Sequence, residues 1–156
     1  MSERFALIPA SYVIFRRKTQ VLFQLRQGTG YMDGHWATAA AGHVEAGESA
    51  QAAAIREARE ELGVRIAIED LVPLTVMHRA QVNGPAVAQR VDFFFSCEKW
   101  VGEPRIREPD KAADLQWFAL DELPALVVPH ERFVLERLTA GLPPIVSFGF
   151  DQSEAP

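Results

Sequence analysis

Three glutamates within five residues, Glu57, Glu60 and Glu61, are the strongest chemical signal in this sequence. Like charges three or four residues apart on one helix destabilise it by roughly 0.2–0.5 kcal/mol per pair. Carboxylate oxygens are also the ligands that a hard divalent cation such as Mg²⁺ prefers. The glutamates alone therefore leave two interpretations open, a metal site and a solvated acidic surface.

A helix predicted over residues 49–62 positions these glutamates. Ser49 suits the N-cap, alanines fill the first turns, and Gly63 suits the left-handed position after the last turn. At about 100° per residue, the glutamates share one helical face. The roughly opposite face carries an apolar stripe made of Ile55, Ala58 and Leu62. We therefore expect the stripe to pack on a sheet and the carboxylates to point outward together.

The spacing of the residues around this helix favours the metal site. Gly42 is followed after five residues by Glu48, and seven residues later comes the run Arg56-Glu57-Ala58, any residue, Glu60-Glu61, any residue, Gly63 and Val64. This pattern resembles the Nudix box in every specified position. A less specific resemblance to MutT-like members of that family covers residues 28–34, 90–95, 100–104, 108–111 and 117–118.

The Nudix resemblance implies roles for the residues of the box. Glu60 and Glu61 match the principal metal-binding glutamates, and Glu57 matches a glutamate that binds metal or acts on the attacking water. In the family, the backbone carbonyl just before the box glycine often adds a ligand, and here it belongs to Ala41. The cofactor implied is Mg²⁺, with Mn²⁺ as an alternative. A bound cation of this kind neutralises the phosphates and lowers the pKa of a bound water.

Other residues of the box are expected to support the site. Glu48 and Arg56 match a pair that braces the loop against the helix, and a guanidinium can fork two hydrogen bonds to a carboxylate. Gly42 and Gly63 are the box glycines. Family members also often use a carboxylate outside the box. Glu108 is the candidate here, with Glu57, for the catalytic acid–base role, and its rivals are Glu103 and Asp110.

The residues that would select the substrate are less clearly marked. Arg26 and Arg90 are candidates for holding phosphates, and Tyr31 and Trp36 are candidates for stacking a base. Each also has an ordinary structural interpretation. The run of small residues at 37–41 lacks the leucine-proline pair that many family members have there, and it is about one residue longer. The four histidines show no metal-ligand spacing and are interpreted as surface or structural residues.

Composition narrows the class of protein. The chain has 156 residues and a formal net charge of −5, so we expect a single domain over residues 1–150, a disordered tail at 151–156, and no nucleic-acid polymer as partner. The single cysteine, Cys97, cannot form an internal disulfide and is expected to be buried. The sequence shows no signal peptide and no membrane-length apolar run, which favours a cytoplasmic protein without membrane contact. A monomer and a homodimer are both compatible with the sequence.

The coarse pattern of elements predicts a mixed sheet with helices. Strands are expected at residues 12–15 and 21–25 as a hairpin, then at 35–41, 71–80, 90–98 and 115–120, the last being the final strand. A glycine-rich loop is expected at 42–48, a turn at 83–85, and a C-terminal helix at 131–139. The order of elements, together with the resemblance, predicts an α+β fold of the Nudix type, an α/β/α sandwich around a mixed β-sheet.

Three functions follow from this, in order of preference. The first is a nucleoside triphosphate pyrophosphohydrolase that gives the monophosphate and pyrophosphate. The second is hydrolysis of a nucleoside diphosphate linked to another group, such as ADP-ribose, a nucleotide sugar or a dinucleoside polyphosphate. The third is a non-catalytic nucleotide-binding sensor, which loss of the box glutamates would mark; yet Glu57, Glu60 and Glu61 are all present.

Overall fold

The computed structural model describes residues 4–81 and 84–150. The strands are β1 Ile8–Arg17, β2 Gln20–Arg26, β3 Trp36–Thr38, β4 Ala40–His43, β5 Val72–Arg79, β6 Arg90–Cys97, β7 Ala112–Ala119 and β8 Ile145–Phe148. The helices are α1 Ala50–Leu62 and α2 Pro129–Glu136, with short 3₁₀ turns at Ile68–Asp70 and Ala86–Ala88. The predicted tail at 151–156 and residue 83 of the predicted turn lie outside the described residues.

The long strand β1 organises the sheet, because three strands pair with it. It runs parallel to β6 over Ile8–Phe15, antiparallel to β4 over Ala10–Val13, and antiparallel to β2 at its end. The described residues form a mixed eight-stranded sheet in the order β3-β2-β1-β6-β5-β8, with β7 paired to β2. The expectation of a mixed sheet is confirmed.

Each face of this sheet carries its own core, because alternate residues of β1 point to opposite sides. Val13 and Phe15 join α1 in one core, and Tyr12 and Ile14 join α2 in the other. In the first core, the apolar side of α1 contributes Ala54, Ala58 and Leu62. The predicted arrangement, a helix on each side of a mixed sheet, is therefore confirmed.

Helix α1 begins and ends where the sequence predicts. The Oγ of Ser49 accepts a hydrogen bond from the backbone N–H of Ala52 at 3.0 Å. Gly63 takes a left-handed φ of 73°, and its N–H donates to the carbonyl oxygen of Arg59. These two caps fix the register of the helix and hence the direction of its glutamates.

Several predicted boundaries were wrong. The strand expected at 35–41 is two strands, β3 and β4, and β4 extends through Gly42 and His43 into the predicted loop. The C-terminal helix begins at Pro129, since proline suits the first helical turn, and it ends at Glu136. The strand at 115–120 is not the last, because β8 pairs with β5 at the sheet edge. The described part of the chain has no helix long and apolar enough to cross a membrane.

Candidate active site

A cleft of about 790 Å³ lies where α1, the sheet and the start of α2 meet. One part of its wall is formed by the carboxylates Glu57, Glu60, Glu61 and Glu108. Another part is formed by Thr38, Arg90 and Glu131 on the α2 side of the sheet. The cleft therefore joins an acidic region to a polar region of mixed charge.

The structure brings the three box glutamates to the cleft but does not turn them all outward, which corrects the sequence expectation. Glu60 is half exposed, with 49% of its side chain accessible, whereas the side chain of Glu57 is only 14% exposed. Glu61 is also partly buried, because it faces β2, where Nε2 of Gln24 donates to its Oε2 at 3.3 Å. Two of the three carboxylates are thus packed against the sheet.

Gly42 is the point at which the sheet and Glu57 touch. A Cβ placed on Gly42 would lie 2.2 Å from the carboxyl carbon of Glu57 and 2.3 Å from its Oε1. A side chain at position 42 would therefore displace the Glu57 carboxylate from its present place. The glycine is therefore required by the position of the Glu57 carboxylate.

Arg56 holds the acidic face in place. Its Nη2 donates to Oε1 of Glu48 at 2.6 Å and its Nε to Oε2 at 3.1 Å, the forked pair that the resemblance implied. Its Nη1 donates to Glu57 at 2.8 Å and to Glu60 at 3.2 Å. The hydrogen bond from Arg56 lowers the pKa of Glu48. One guanidinium thus ties the loop to the helix and compensates two of the three box glutamates.

Glu61 is the box carboxylate that Arg56 leaves without a cationic partner. Burial raises its pKa well above the usual value, and the neighbouring carboxylates of Glu57 and Glu108 raise it further. The backbone of Ala41 works in the opposite direction and lowers the pKa. The region around Glu61 is therefore one in which added positive charge is strongly favoured.

Glu108 lines the cleft, whereas its rivals Glu103 and Asp110 do not. The backbone N–H of Arg107 donates to the carbonyl oxygen of Glu61 at 3.1 Å, which brings the next residue beside the acidic face. The carboxylate of Glu108 is 35% exposed and lies 3.0 Å from the Nζ of Lys111. A carboxylate from outside the box is therefore available to the site.

The donor set fits a hard cation, although the side chains do not yet converge on one point. The oxygen ligands available are the carboxylates of Glu57, Glu60, Glu61 and Glu108, together with the backbone at Ala41. In residues 4–81 and 84–150, no group of three or more His, Cys, Asp or Glu side chains stands in a metal-binding arrangement. Arg56 engages two of these carboxylates, since it donates hydrogen bonds to Glu57 and Glu60.

The α2 side of the cleft holds a buried carboxyl group that the sequence did not single out. Oε1 of Glu131 accepts a hydrogen bond from the backbone N–H of Thr38 at 2.7 Å. Burial raises the pKa of Glu131 to about 7, against the lowering effect of that hydrogen bond. Nearby along the cleft wall, Oγ1 of Thr38 and Nη1 of Arg90 are buried and find no partner among the described residues. Buried polar atoms without partners are costly, so these atoms are suited to a polar ligand.

A hydrogen-bonded network that includes Tyr12, Arg79 and His130 also lines this region of the cleft. Nε of Arg79 donates to Oδ2 of Asp92 at 2.6 Å, and its Nη2 donates to the hydroxyl of Tyr12 at 3.4 Å. The same hydroxyl lies 3.1 Å from Nε2 of His130. Burial lowers the pKa of His130 well below its usual value, so its ring is neutral at physiological pH. His130 is thus buried against Tyr12 while also lining the cleft, and its interpretation as a structural residue stays a prediction.

The loop after β2 presents Tyr31 at the cleft with 46% of its surface exposed. Asp33 fixes the loop, because its Oδ1 accepts from the hydroxyl of Thr29 at 2.6 Å. Arg26 donates to the carbonyl oxygen of Tyr31 at 2.8 Å, and its guanidinium lies 5.4 Å from the centre of the tyrosine ring. Arg26 lines the cleft, and its Nε and Nη2 are engaged in bracing this loop. Trp36 does not line the cleft. Its ring packs against that of Phe118, with 4.8 Å between the ring centres.

The residues missed from the sequence share one property. Glu131, Thr38, Arg79 and Tyr12 come from four separate elements, and none has a spacing that relates it to the box. The one local signal was a carboxylate in the first turn of a helix that begins at Pro129, directly after the buried pair Val127 and Val128.

Comparisons with known proteins agree on the family. The NUDIX domain model matches residues 7–138. The chain is 32% identical over 132 residues to the NAD-capped RNA hydrolase NudC of Pseudomonas aeruginosa, in strains LESB58 and PAO1. That match covers 85% of this chain but only 42% of the relative, so the chain spans less than half the length of these curated relatives.

Solved structures share the fold. The MutT NUDIX hydrolase of Burkholderia pseudomallei matches with a TM-score of 0.76 and 28% identity, over 85% of this chain and 98% of that one. The E. coli ORF135 protein matches with a TM-score of 0.69 and 23% identity, over 86% of this chain and 89% of that one. A UDP-X diphosphatase matches with a TM-score of 0.65 and 20% identity, over 93% of this chain and 69% of that one. The last two similarities concern the fold alone.

Proposed function

Because this chain belongs to the Nudix hydrolase family, we propose that its cleft hydrolyses nucleoside triphosphates to the monophosphate and pyrophosphate with the aid of Mg²⁺. The observation that carries the proposal is the make-up of the cleft, in which four carboxylates face a polar, partly aromatic region within one space of about 790 Å³. A phosphate chain fits the first region when cations are recruited there. A nucleoside fits the second.

The box carboxylates would hold the cation. Glu61 and Glu60 are its principal ligands in this proposal, with Glu57 and the backbone carbonyl of Ala41 completing the set. A bound Mg²⁺ neutralises phosphate charge and lowers the pKa of a coordinated water. The high pKa of Glu61 supports this assignment, because a carboxylate crowded by others gains most from a cation.

Glu108 is the residue to which we assign proton acceptance. The water oxygen forms a bond to phosphorus, the bridging phosphoanhydride bond breaks, and its electron pair leaves with the pyrophosphate. The proton of the water passes to a carboxylate. Glu57 is less free to receive it, because its carboxylate is bound by Arg56 and pressed against Gly42. Glu108 is held only by the exposed Lys111, so it can approach the water.

The nucleoside would lie between Tyr31 and the start of α2. The exposed ring of Tyr31 offers a stacking face that Arg26 holds in place. The buried atoms without partners on Thr38 and Arg90, and the carboxyl of Glu131, offer hydrogen bonds to the edge of a base. Arg90 is thus assigned to the nucleoside region, and Trp36 is given no direct role.

A second candidate is hydrolysis of a nucleoside diphosphate linked to another group. The observation that favours it is the 32% identity to proteins named as NAD-capped RNA hydrolases. The same carboxylates would serve either reaction, since both break a phosphoanhydride bond.

A nucleotide panel separates the two candidates. Purified protein is assayed with Mg²⁺ and with Mn²⁺ against triphosphates, ADP-ribose, a nucleotide sugar, NAD and a dinucleoside polyphosphate, and released pyrophosphate is measured beside monophosphate. We expect pyrophosphate from triphosphates as the dominant product. Turnover confined to diphosphate-linked substrates would reject the first candidate in favour of the second. The Glu61→Gln variant, run beside the wild type, excludes a contaminating activity.

A further inference from the structure

Two exposed arginines in the connection between β6 and β7 cover the C-terminal end of α1, and the site described above does not use them. The backbone N–H of Arg105 donates to the carbonyl oxygen of Leu62 at 3.1 Å, and that of Arg107 to Glu61 at 3.1 Å. A Cβ placed on Gly63 would lie 3.1 Å from Cδ of Arg107 and 3.8 Å from Nε of Arg105. Both side chains therefore lie over the end of the helix, and we call this pair the arginine rim.

The arginine rim has no acidic partner in the protein. In residues 4–81 and 84–150, no ion pair within 4.0 Å involves Arg105 or Arg107. Both residues are exposed. Cations at the C-terminal end of a helix are favoured by its dipole, which explains part of their position.

The rim lies next to the acidic region of the cleft. Arg107 directly precedes Glu108, which lines the cleft, although neither arginine of the rim is itself a lining residue. Glu60 and Glu61 line it as well, and they come only three and two residues before Gly63, roughly 3–5 Å along the helix axis. The polar region around Glu131 is on the α2 side of the sheet, whereas the rim is on the α1 side. A phosphate chain held at the carboxylates would therefore meet the rim only with the phosphates that extend beyond the cleft.

We propose that the arginine rim binds the phosphate groups on the leaving-group side of the scissile bond, those released as pyrophosphate. This inference rests on the proposed function and assigns the outer phosphates of the same substrate. Guanidinium groups match phosphate because they donate forked hydrogen bonds and remain charged. Since the rim is exposed, its contribution is screened by salt and is strongest at low ionic strength.

The test compares two double variants with equal loss of charge. Arg105→Ser with Arg107→Ser removes the rim, and Lys18→Asn with Lys99→Ser removes two exposed lysines that do not line the cleft. Kinetic constants are measured for a triphosphate and for the diphosphate of the same nucleoside, at low and at moderate salt. Binding of pyrophosphate with Mg²⁺ is measured by calorimetry for the same proteins.

We expect loss of the rim to raise KM for the triphosphate by about tenfold at low salt, with kcat and the diphosphate constants little changed. Pyrophosphate should bind about tenfold more weakly to the rim variant and normally to the lysine variant. A merely structural rim would instead lower thermal stability and weaken both substrates equally, and that result would overturn the inference. Unchanged pyrophosphate binding would overturn it as well. If the wild type fails to cleave triphosphates while the rim still governs pyrophosphate binding, the proposed function fails and the rim stands.

Discussion

At the scale of single residues, Glu61 combines partial burial with the neighbouring charges of Glu57 and Glu108. Keeping such a carboxylate in the fold lowers the free energy of unfolding, and a functional role would explain why it is there. We predict that Glu61→Gln lowers turnover by roughly 10²-fold or more while leaving the free energy of unfolding unchanged or raised, because the neutral amide removes the repulsion. Steady-state kinetics and urea unfolding measure the two effects, and the exposed Glu69→Gln is the matched control. Near-normal Mg²⁺-dependent turnover in Glu61→Gln would remove Glu61 from the site.

Gly42 has no positive φ that would require glycine, so we expect it to act through its close contact with Glu57. The added methyl group of Gly42→Ala would overlap the Glu57 carboxylate, so that carboxylate must move. A displacement of about 1 Å at a catalytic group costs about 10²-fold in rate, and we expect that loss here.

A double-mutant cycle tests whether the loss of rate in Gly42→Ala arises from displacement of the Glu57 carboxylate. If Gly42 acts through Glu57, the Gly42→Ala change should cost little further activity in a Glu57→Gln background. Additive losses in the double variant would show that the glycine matters for another reason, such as the pairing of β4 with β1.

At the scale of elements, helix α1 shows what the sequence can predict. Its caps, its apolar stripe and the Glu48–Arg56 pair depend on neighbours in the chain, and all are found where the spacing indicates. The direction of the glutamates was less predictable, because it depends on how close β4 lies to the helix. Glu131 was not predictable at all: its role comes from Thr38, 93 residues away, and such contacts leave no periodic signal.

The bond between α1 and the preceding loop depends on the shape of one guanidinium. Arg56→Lys keeps the charge but cannot fork to Glu48 and reach Glu57 and Glu60 at the same time. We expect the free energy of unfolding to fall by about 2 kcal/mol and turnover to fall by about tenfold or more. Arg65→Lys, at an exposed position, should change stability by less than about 0.5 kcal/mol. Equal behaviour of the two variants in urea unfolding and kinetics would contradict the bracing role.

At the scale of the whole molecule, the cleft exists because the two cores lie on opposite faces of one sheet. Carboxylates come from the α1 side, and the polar groups around Glu131 come from the α2 side. A substrate that reaches both regions therefore touches both halves of the fold. Buried carboxyl groups such as Glu131 and Glu61 line this cleft, so their titration affects the free energy of unfolding as well as the charge of the site.

Glu131 makes global stability depend on pH in a direction that can be tested. Its pKa is about 7 in the folded protein against 4.5 as the ordinary value, so the folded chain keeps this proton while the unfolded chain loses it. Stability from this group is therefore greatest below pH 4.5, declines as the pH rises, and levels off above about pH 7. The loss amounts to at most about 3 kcal/mol, and Asp92 and Glu61, whose pKa values are also raised, add losses of the same sign.

The Glu131→Gln variant isolates this contribution, because the amide oxygen can still accept from Thr38 but nothing titrates. Urea unfolding at about pH 5 and pH 7.5 should show a smaller fall in stability for Glu131→Gln than for the wild type, by about 1–3 kcal/mol. The matched control is Glu136→Gln, on the exposed side of the same helix, which should keep the full wild-type dependence. If Glu131→Gln keeps it too, the carboxyl of Glu131 is ionised in the folded protein. Its assigned part in the polar region would then be that of a pure hydrogen-bond acceptor, which would favour bases that present N–H groups at this edge.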